Sequence, residues 1–251
     1  MSFGALIIGD EILRGKREDK HFAHVVAAFN ARGLMFSWCE YLGDDPACIT
    51  ATLARTLASG DIVFSFGGIG ATPDDYTRQC AAAAAGVPLI RHPEAAAEIE
   101  ARFGEAAYPK RILMADLPQG SRIIPNPYNR IPGFSIKDHH FLPGFPDMAW
   151  PMMEWILETF YRHLFPAVPE IEQSIIVFDA GESTLIDLMN ENIAQFPQLK
   201  LFCLPSMPDQ NGRRLELGVR GDAILVRAAI DHLKKGVDVL GYRWSEVLLR
   251  C

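Results

Sequence analysis

The chemistry available to this chain is concentrated in acidic residues that stand beside glycines. The combination occurs three times, as Gly9-Asp10-Glu11, as Gly43-Asp44-Asp45, and in the longer run Gly67-Gly68-Ile69-Gly70-Ala71-Thr72-Pro73-Asp74-Asp75. Glycines lack the Cβ that would hold a ligand off the backbone, and the N–H groups opening a following helix favour an anion. The third run is therefore a phosphate-sized cradle. Asp74 and Asp75 would repel a bound phosphate unless a hard cation such as Mg²⁺ bridges them or one carboxylate acts as a base. Chemistry on a phosphate or pyrophosphate ester follows, with Asp10, Asp44 and Asp75 as candidate metal ligands and Asp75 and Asp44 as candidate catalytic groups. Gly67, Gly68, Gly70, Thr72 and Asp74, with Gly9 and Glu11, are the candidate phosphate and ligand contacts.

The elements that must position these residues read as strand, turn and helix. Phe3 to Gly9 is a continuous apolar run, as a parallel strand buried on both faces requires. Met35 to Leu42 and Asp61 to Phe66 are the second and third strands, and helices are expected over Pro46 to Ser59 and after Thr72. Thr72 is the expected N-cap, Pro73 the first helical residue and Asp75 the partner in a capping box. Three strands, each running into glycine and acid before a helix, predict a parallel sheet whose acidic turns share one edge. Open α/β sheets bind ligands at that edge. A plain tight turn, with solvated loop charges, is the competing reading of the same residues.

Two familiar phosphate motifs are excluded. The dinucleotide fingerprint needs a third glycine where Pro73 stands, and the P-loop needs a lysine followed by serine or threonine, which the third run lacks.

At these residues the sequence resembles the molybdopterin-binding domain of molybdenum-cofactor biosynthesis proteins, and more closely the CinA (competence/damage-inducible protein A) family. That family's pattern is similar to Gly67-Gly68-Ile69-Gly70-Ala71-Thr72 followed by x-Asp-Asp-x-Thr. The likeness extends to Gly9 through Gly15, to Gly43-Asp44-Asp45 and to Leu142-Pro143-Gly144-Phe145-Pro146. It implies a three-layer, mostly parallel sheet of the molybdopterin-binding type, molybdopterin or a nucleotide as ligand, and ligand contact at Pro143 and Gly144. It further implies either metal-dependent hydrolysis of ADP-ribose or adenylylation of the pterin, the latter dependent on aspartates that match Asp44 and Asp75. A binding module that keeps the pocket without the reaction is the third possibility. Related proteins assemble as dimers or trimers, so a homo-oligomer is expected, a dimer being favoured. Larger relatives carry an amidase domain acting on nicotinamide mononucleotide, for which a chain ending at Cys251 is expected to have no room. This chain departs from the family pattern at Ala71, where proline is usual, and at Asp19-Lys20-His21, where the family carries Asn-Thr-Asn.

From Pro118 to Pro151 seven prolines exclude long helices and fix loops able to shape a pocket, with short strands at Ile123-Ile124, Phe134 to Ile136 and His140 to Leu142. A helix follows from Asp147 to Leu164. Phe165-Pro166-Ala167-Val168-Pro169 is the domain boundary, giving an α/β domain over residues 1–168 and a small α+β domain over residues 169–251. In the latter, Gly181-Glu182-Ser183-Thr184 opens a helix with Ser183 as its expected cap.

Composition bounds the rest. With 49% hydrophobic and 22% charged residues among 251, the chain is an ordinary globular protein. Its formal net charge of −7, without a basic block, argues against nucleic acid as the main partner. No stretch approaches the roughly 20 apolar residues of a membrane span, and the N-terminus lacks a charged leader, so a cytoplasmic protein is expected. Cys39, Cys48, Cys80, Cys203 and Cys251 form no C-x-x-C pair. Reduced, mostly buried thiols and no zinc site are the expectation.

Overall fold

The computed structural model describes residues 2–168, 170–207 and 212–247. The chain divides into two compact units, Met1–Pro166 and Ala167–Cys251.

The first unit begins with β1 (Phe3–Ile8), the single turn α1 (Asp10–Leu13), α2 (His21–Asn30), β2 (Phe36–Leu42) and α3 (Pro46–Ser59). There follow β3 (Ile62–Phe66), α4 (Thr77–Ala85), β4 (Leu89–Arg91) and α5 (Pro93–Phe103). Four short strands, β5 (Asp116–Pro118), β6 (Arg122–Ile124), β7 (Gly133–Ile136) and β8 (His139–Leu142), lead to α6 (Pro146–Phe160). The main sheet has the order β2-β1-β3-β8-β7-β6. Its first four strands are parallel, and β7 runs antiparallel to both β8 and β6. β4 pairs with β5, outside the main sheet.

Period-two alternation builds three layers around this sheet. Phe3, Ala5 and Ile7 of β1, with Phe64 and Phe66 of β3, face a core shared with Val25 and Phe29 of α2 and Met152 and Ile156 of α6. Leu6, Ile8 and Val63 face the other way, onto Ile49 and Leu53 of α3, Ala81 of α4 and Ile99 of α5. Every residue of β1 is buried, which explains its unbroken apolar run. Helix α3 starts where its residue types require: Pro46 is the first residue, and the Asp45 side chain accepts from the Cys48 N–H at 2.8 Å.

Consecutive histidines on β8 serve opposite layers. His139 Nε2 donates to Thr56 Oγ1 of α3 at 2.9 Å, the Thr56 hydroxyl being spent on the Leu53 carbonyl. His140 belongs to a buried chain in which the Ser135 hydroxyl donates to Nδ1, Nε2 donates to the Tyr161 hydroxyl, and Tyr161 donates to Asp138. Protonation of the imidazole at Nδ1 would take away the acceptor that the Ser135 hydroxyl uses.

The second unit comprises β9 (Ile171–Phe178), α7 (Glu182–Gln195), β10 (Lys200–Pro205), β11 (Arg214–Gly221), α8 (Ala223–Val239) and β12 (Trp244–Glu246). Its antiparallel sheet has the order β10-β11-β9-β12. Ile175, Val177, Leu215 and Leu217 on the sheet pack with Leu185 of α7 and Val226 and Leu233 of α8. The edge strand β12 has no sequence signal of its own. Ser183 does not cap α7: the flanking residue is Gly181, and the Thr184 hydroxyl donates to its carbonyl at 2.7 Å.

Among the described cysteines only Cys80 is buried, so the expectation of mostly buried thiols fails at exposed Cys48. Cys251, like Pro169 at the expected boundary, lies outside the described residues. No helix among the described residues is long and apolar enough to cross a membrane.

Burial pushes the His139 imidazole down to about 4 and that of His140 to about 3, from an ordinary 6.5. Between pH 6.5 and 4 the unfolded chain therefore holds more protons, and stability must fall as the pH is lowered through that window. The slope is up to about 1.4 kcal/mol per pH unit for each histidine. Urea unfolding at several pH values should show this decline, and His139→Gln, which keeps a donor for Thr56, should flatten it. An unchanged slope in that variant would exclude His139 as a source.

Candidate functional site

Strands β1, β2, β3 and β8 run the same way, so Ile8, Leu42, Phe66 and Leu142 end on one edge of the sheet. The ladder continues one residue further: the Gly9 N–H donates to Leu42 O and the Gly67 N–H to Leu142 O, each at 3.0 Å. Two glycines then take conformations closed to other residues. Gly67 has φ 104°, and a Cβ there would stand 2.2 Å from the Ile8 carbonyl oxygen. Gly68 has φ 67°, and its Cβ would meet Thr77 Oγ1 at 2.2 Å. Buried Thr77 closes the loop from the far side, its N–H donating to Gly68 O at 3.0 Å and its hydroxyl to Gly67 O at 3.1 Å.

The helix begins at Thr77, four residues later than the capping box predicts. The expected partners do meet. The Thr72 N–H donates to Asp75 Oδ2 at 2.9 Å, the Thr72 hydroxyl donates to the same oxygen, and the Asp75 N–H returns to Thr72 O at 3.0 Å. These bonds close a self-contained turn, because the chain must first swing back to place Thr77 beneath the glycines. The anion-binding capacity therefore lies in the loop itself. Among the described residues the N–H groups of Gly68, Ile69, Gly70 and Ala71 donate to nothing in the protein.

The carboxylates of the other two turns lock together. The Asp10 N–H donates to Asp44 Oδ2 at 2.9 Å and the Asp44 N–H to Asp10 Oδ1 at 3.3 Å, while Arg14 pairs with Asp10 Oδ2 at 2.7 Å. Burial, then the charges of Asp10, Glu11 and Asp74, raise the Asp44 carboxyl above its ordinary pKa, against the pull of the Asp10 N–H. The expected metal trio does not form as such, because Asp75 is spent on Thr72. Among the described residues no three His, Cys, Asp or Glu side chains converge to hold a metal. What fits the Asp44–Asp10 pair is an ion of the Mg²⁺ kind, which takes one or two carboxylates and completes its shell with water and ligand phosphates.

A cavity of about 390 Å³ lies over the loop. Of the residues singled out in the sequence, Gly68, Gly70, Thr72, Asp75, Pro143 and Gly144 line it. Gly67 backs the loop, Glu11 borders a neighbouring cavity, and Gly9, Asp10, Asp44 and Asp74 stand outside the lining. Its remaining walls went unmarked: Met114, Ile131 and Met148, with Asn126 and Asn129. The Asn126 and Asn129 side-chain oxygens accept from the N–H groups of Tyr128 and Ile131, holding the proline-rich stretch as a pocket wall.

Residues 4–163 match the family profile described as "Probable molybdopterin binding domain". The chain belongs to that family. The matched segment holds every candidate site residue of this molybdopterin-binding domain. A "CinA-like protein" of Syntrophotalea carbinolica is 30% identical over 205 residues, which is 78% of this chain and 49% of that protein. Another, from Geobacter sp. strain M21, is 30% identical over 217 residues, 83% of this chain and 52% of that one. This chain thus spans about half the length of the curated relatives it matches. A solved structure of CinA from Thermoplasma acidophilum, a protein described as of unknown function, superposes with a TM-score of 0.58 at 26% identity. It covers 63% of this chain and 98% of that one.

The domain also depends on a residue no motif exposed. Arg78 of α4 is buried, 4% exposed, and its guanidinium donates to the carbonyls of Gly70 at 2.7 Å, Asp116 at 3.1 Å and Leu113. One side chain thus ties the glycine loop to the segment that carries Met114. Arg78→Met leaves three part-buried carbonyls short of a donor and is expected to cost about 2 kcal/mol. Denaturant unfolding checks the loss, and a variant as stable as the parent would show that the clamp carries no energy.

Proposed function

We infer that this chain binds a phosphorylated heterocycle, a pterin or a nucleotide, at the loop from Gly67 to Thr72, and hydrolyses a pyrophosphate such as ADP-ribose there with a divalent cation. One observation carries the reading: Gly68 to Ala71, whose main-chain N–H groups have no partner among the described residues, line a cavity whose other walls are largely apolar. Phosphate oxygens satisfy such donors, and Met114, Ile131, Met148 and Phe145 suit the faces of a flat ring. The family's description as molybdopterin binding supports the heterocycle.

The roles of the carboxylates follow from their partners. Asp75 holds the loop in its turn through Thr72. Asp44, raised in pKa, is the group suited to take a proton from an attacking water, and Asp10 orients it through their reciprocal bonds. The water oxygen bonds to phosphorus as the bridging P–O bond breaks, so ADP-ribose yields AMP and ribose 5-phosphate. Asp10 and Asp44 are the carboxylates that would hold a divalent cation, which would supply charge neutralisation on the phosphoryl oxygens.

A binding protein without turnover is the second reading, favoured by the Arg14 ion pair that occupies Asp10 and by Asp75 being engaged with Thr72. Incubation with ADP-ribose and Mg²⁺, Mn²⁺ or Co²⁺ separates the two. Hydrolysis predicts metal-dependent AMP release that Asp44→Asn lowers by at least about 100-fold, the scale of removing one transition-state group. ADP-ribose that binds but yields no AMP with any of these metals would leave the binding reading in its place.

A further inference from the structure

A larger cavity, of about 440 Å³, shares the segment 126–132 with the one over the glycine loop. The chain positions divide between the two. Asn129 and Ile131 line the cavity over the loop, Pro127, Arg130 and Pro132 line the larger one, and Asn126 borders both. Asn126 is 5% exposed and holds the segment in shape. Its carbonyl accepts from the Arg130 N–H at 3.0 Å, its side-chain oxygen accepts from the Tyr128 N–H at 3.0 Å, and its amide nitrogen donates to Ile131 O at 2.9 Å.

The walls of the larger cavity cannot fold in to fill it. Pro125, Pro127, Pro132 and Pro151 carry rings without rotamer freedom. Trp155 of α6 stands edge-to-face against Phe160 with centroids 5.5 Å apart, and the Arg122 guanidinium lies 4.7 Å from the Phe160 ring centre. Rigid apolar walls leave a preformed slot that suits a flat apolar ring.

Polarity enters at Arg130. Its φ is 66°, a conformation closed to most side chains, and it is pinned by Asn126 behind and by Glu98 of α5, whose Oε2 accepts from Nε at 2.8 Å. A guanidinium has five N–H donors, and among the described residues only Nε of Arg130 is engaged by a side chain. Nη1 and Nη2 keep the paired donors that match a carboxylate. A cationic ligand would have to displace Arg130 from Glu98, whereas an anionic one uses the nitrogens that this pair leaves over.

We propose that this cavity is an effector site for a small aromatic carboxylic acid, its ring between Trp155 and the prolines and its carboxylate on Nη1 and Nη2 of Arg130. Occupation braces the segment 126–132 from behind and stiffens the wall that Asn129 and Ile131 give to the first cavity. The site and the stiffening stand whatever the first cavity binds. The consequence for a nucleotide there, tighter binding, rests on the reading given under Proposed function.

Calorimetric titration of the full chain with three probes that share one ring, indole-3-acetate, indole and tryptamine, tests the site. Indole-3-acetate should bind at least about tenfold tighter than either of the others. Arg130→Gly, which suits a φ of 66° and removes the guanidinium, should bring it down to the level of indole, and Trp155→Leu should weaken indole-3-acetate and indole alike. Equal affinities, tightest binding of tryptamine, no binding, or an Arg130→Gly variant that binds as the parent does would each overturn the site. Amide hydrogen exchange with indole-3-acetate alone then reads the shared wall, where the N–H groups of Tyr128, Arg130 and Ile131 should slow. With the acid at saturation, ADP-ribose and Mg²⁺ should bind about fivefold tighter. Loop amides that exchange as before, or ADP-ribose affinity that the acid leaves unaltered, overturns the effector role. Failure of ADP-ribose to bind at all counts against the phosphate reading instead, and the loop amides then decide this one.

Discussion

At Gly67 the main chain passes so close to the Ile8 carbonyl that no side chain can stand there, and the site depends on that approach. It brings the ends of β1 and β3 together just where the sheet stops, and it fixes the direction in which the loop leaves. Thr77 then holds the two glycine carbonyls from beneath, and Arg78 holds the carbonyl of Gly70. With the carbonyls engaged from inside, the N–H groups from Gly68 to Ala71 are the polar groups left for a ligand. The protein has built an anion site from backbone, without needing a lysine in the loop.

Charge is organised on the same edge but by a different device. Asp10 and Asp44 each cap the other's N–H, which fixes two carboxylates that would otherwise repel. Arg14 neutralises part of the pair, and burial, reinforced by the charges of Asp10, Glu11 and Asp74, raises the pKa of Asp44. A carboxyl held in that condition gains from any cation or proton that arrives. The loop offers donors, the Asp44 side offers acceptors, and a phosphate with its counter-cation meets both.

Most of the first unit was legible because its signals are local and agree with one another. The all-apolar β1, the Asp45-Pro46 start of α3 and the repeated passage from strand to glycine to acid leave little choice of fold. The errors have physical causes. Thr72 and Asp75 carry a capping-box signature, yet the same two side chains also close a four-residue turn, and the tertiary demand for Thr77 under the glycines decides between them. Residue type alone makes Ser183 the expected cap, but Gly181 takes the position. The metal trio assumed that three turns sharing an edge bring three carboxylates to one point, but each carboxylate answers first to its nearest N–H. Arg78 and the Asn126 to Ile131 wall escaped because their partners lie far away in sequence, and no periodicity records a distant carbonyl.

The central claim is that the backbone from Gly68 to Ala71 receives the phosphates of a ligand. Amide hydrogen exchange on the full chain, with and without ADP-ribose and Mg²⁺ at saturating concentration, tests it most directly. The account predicts slowed exchange at residues 68–71 and at Gly144, with the strands of the second unit unchanged. Saturable binding that leaves those loop amides exchanging as before would contradict it.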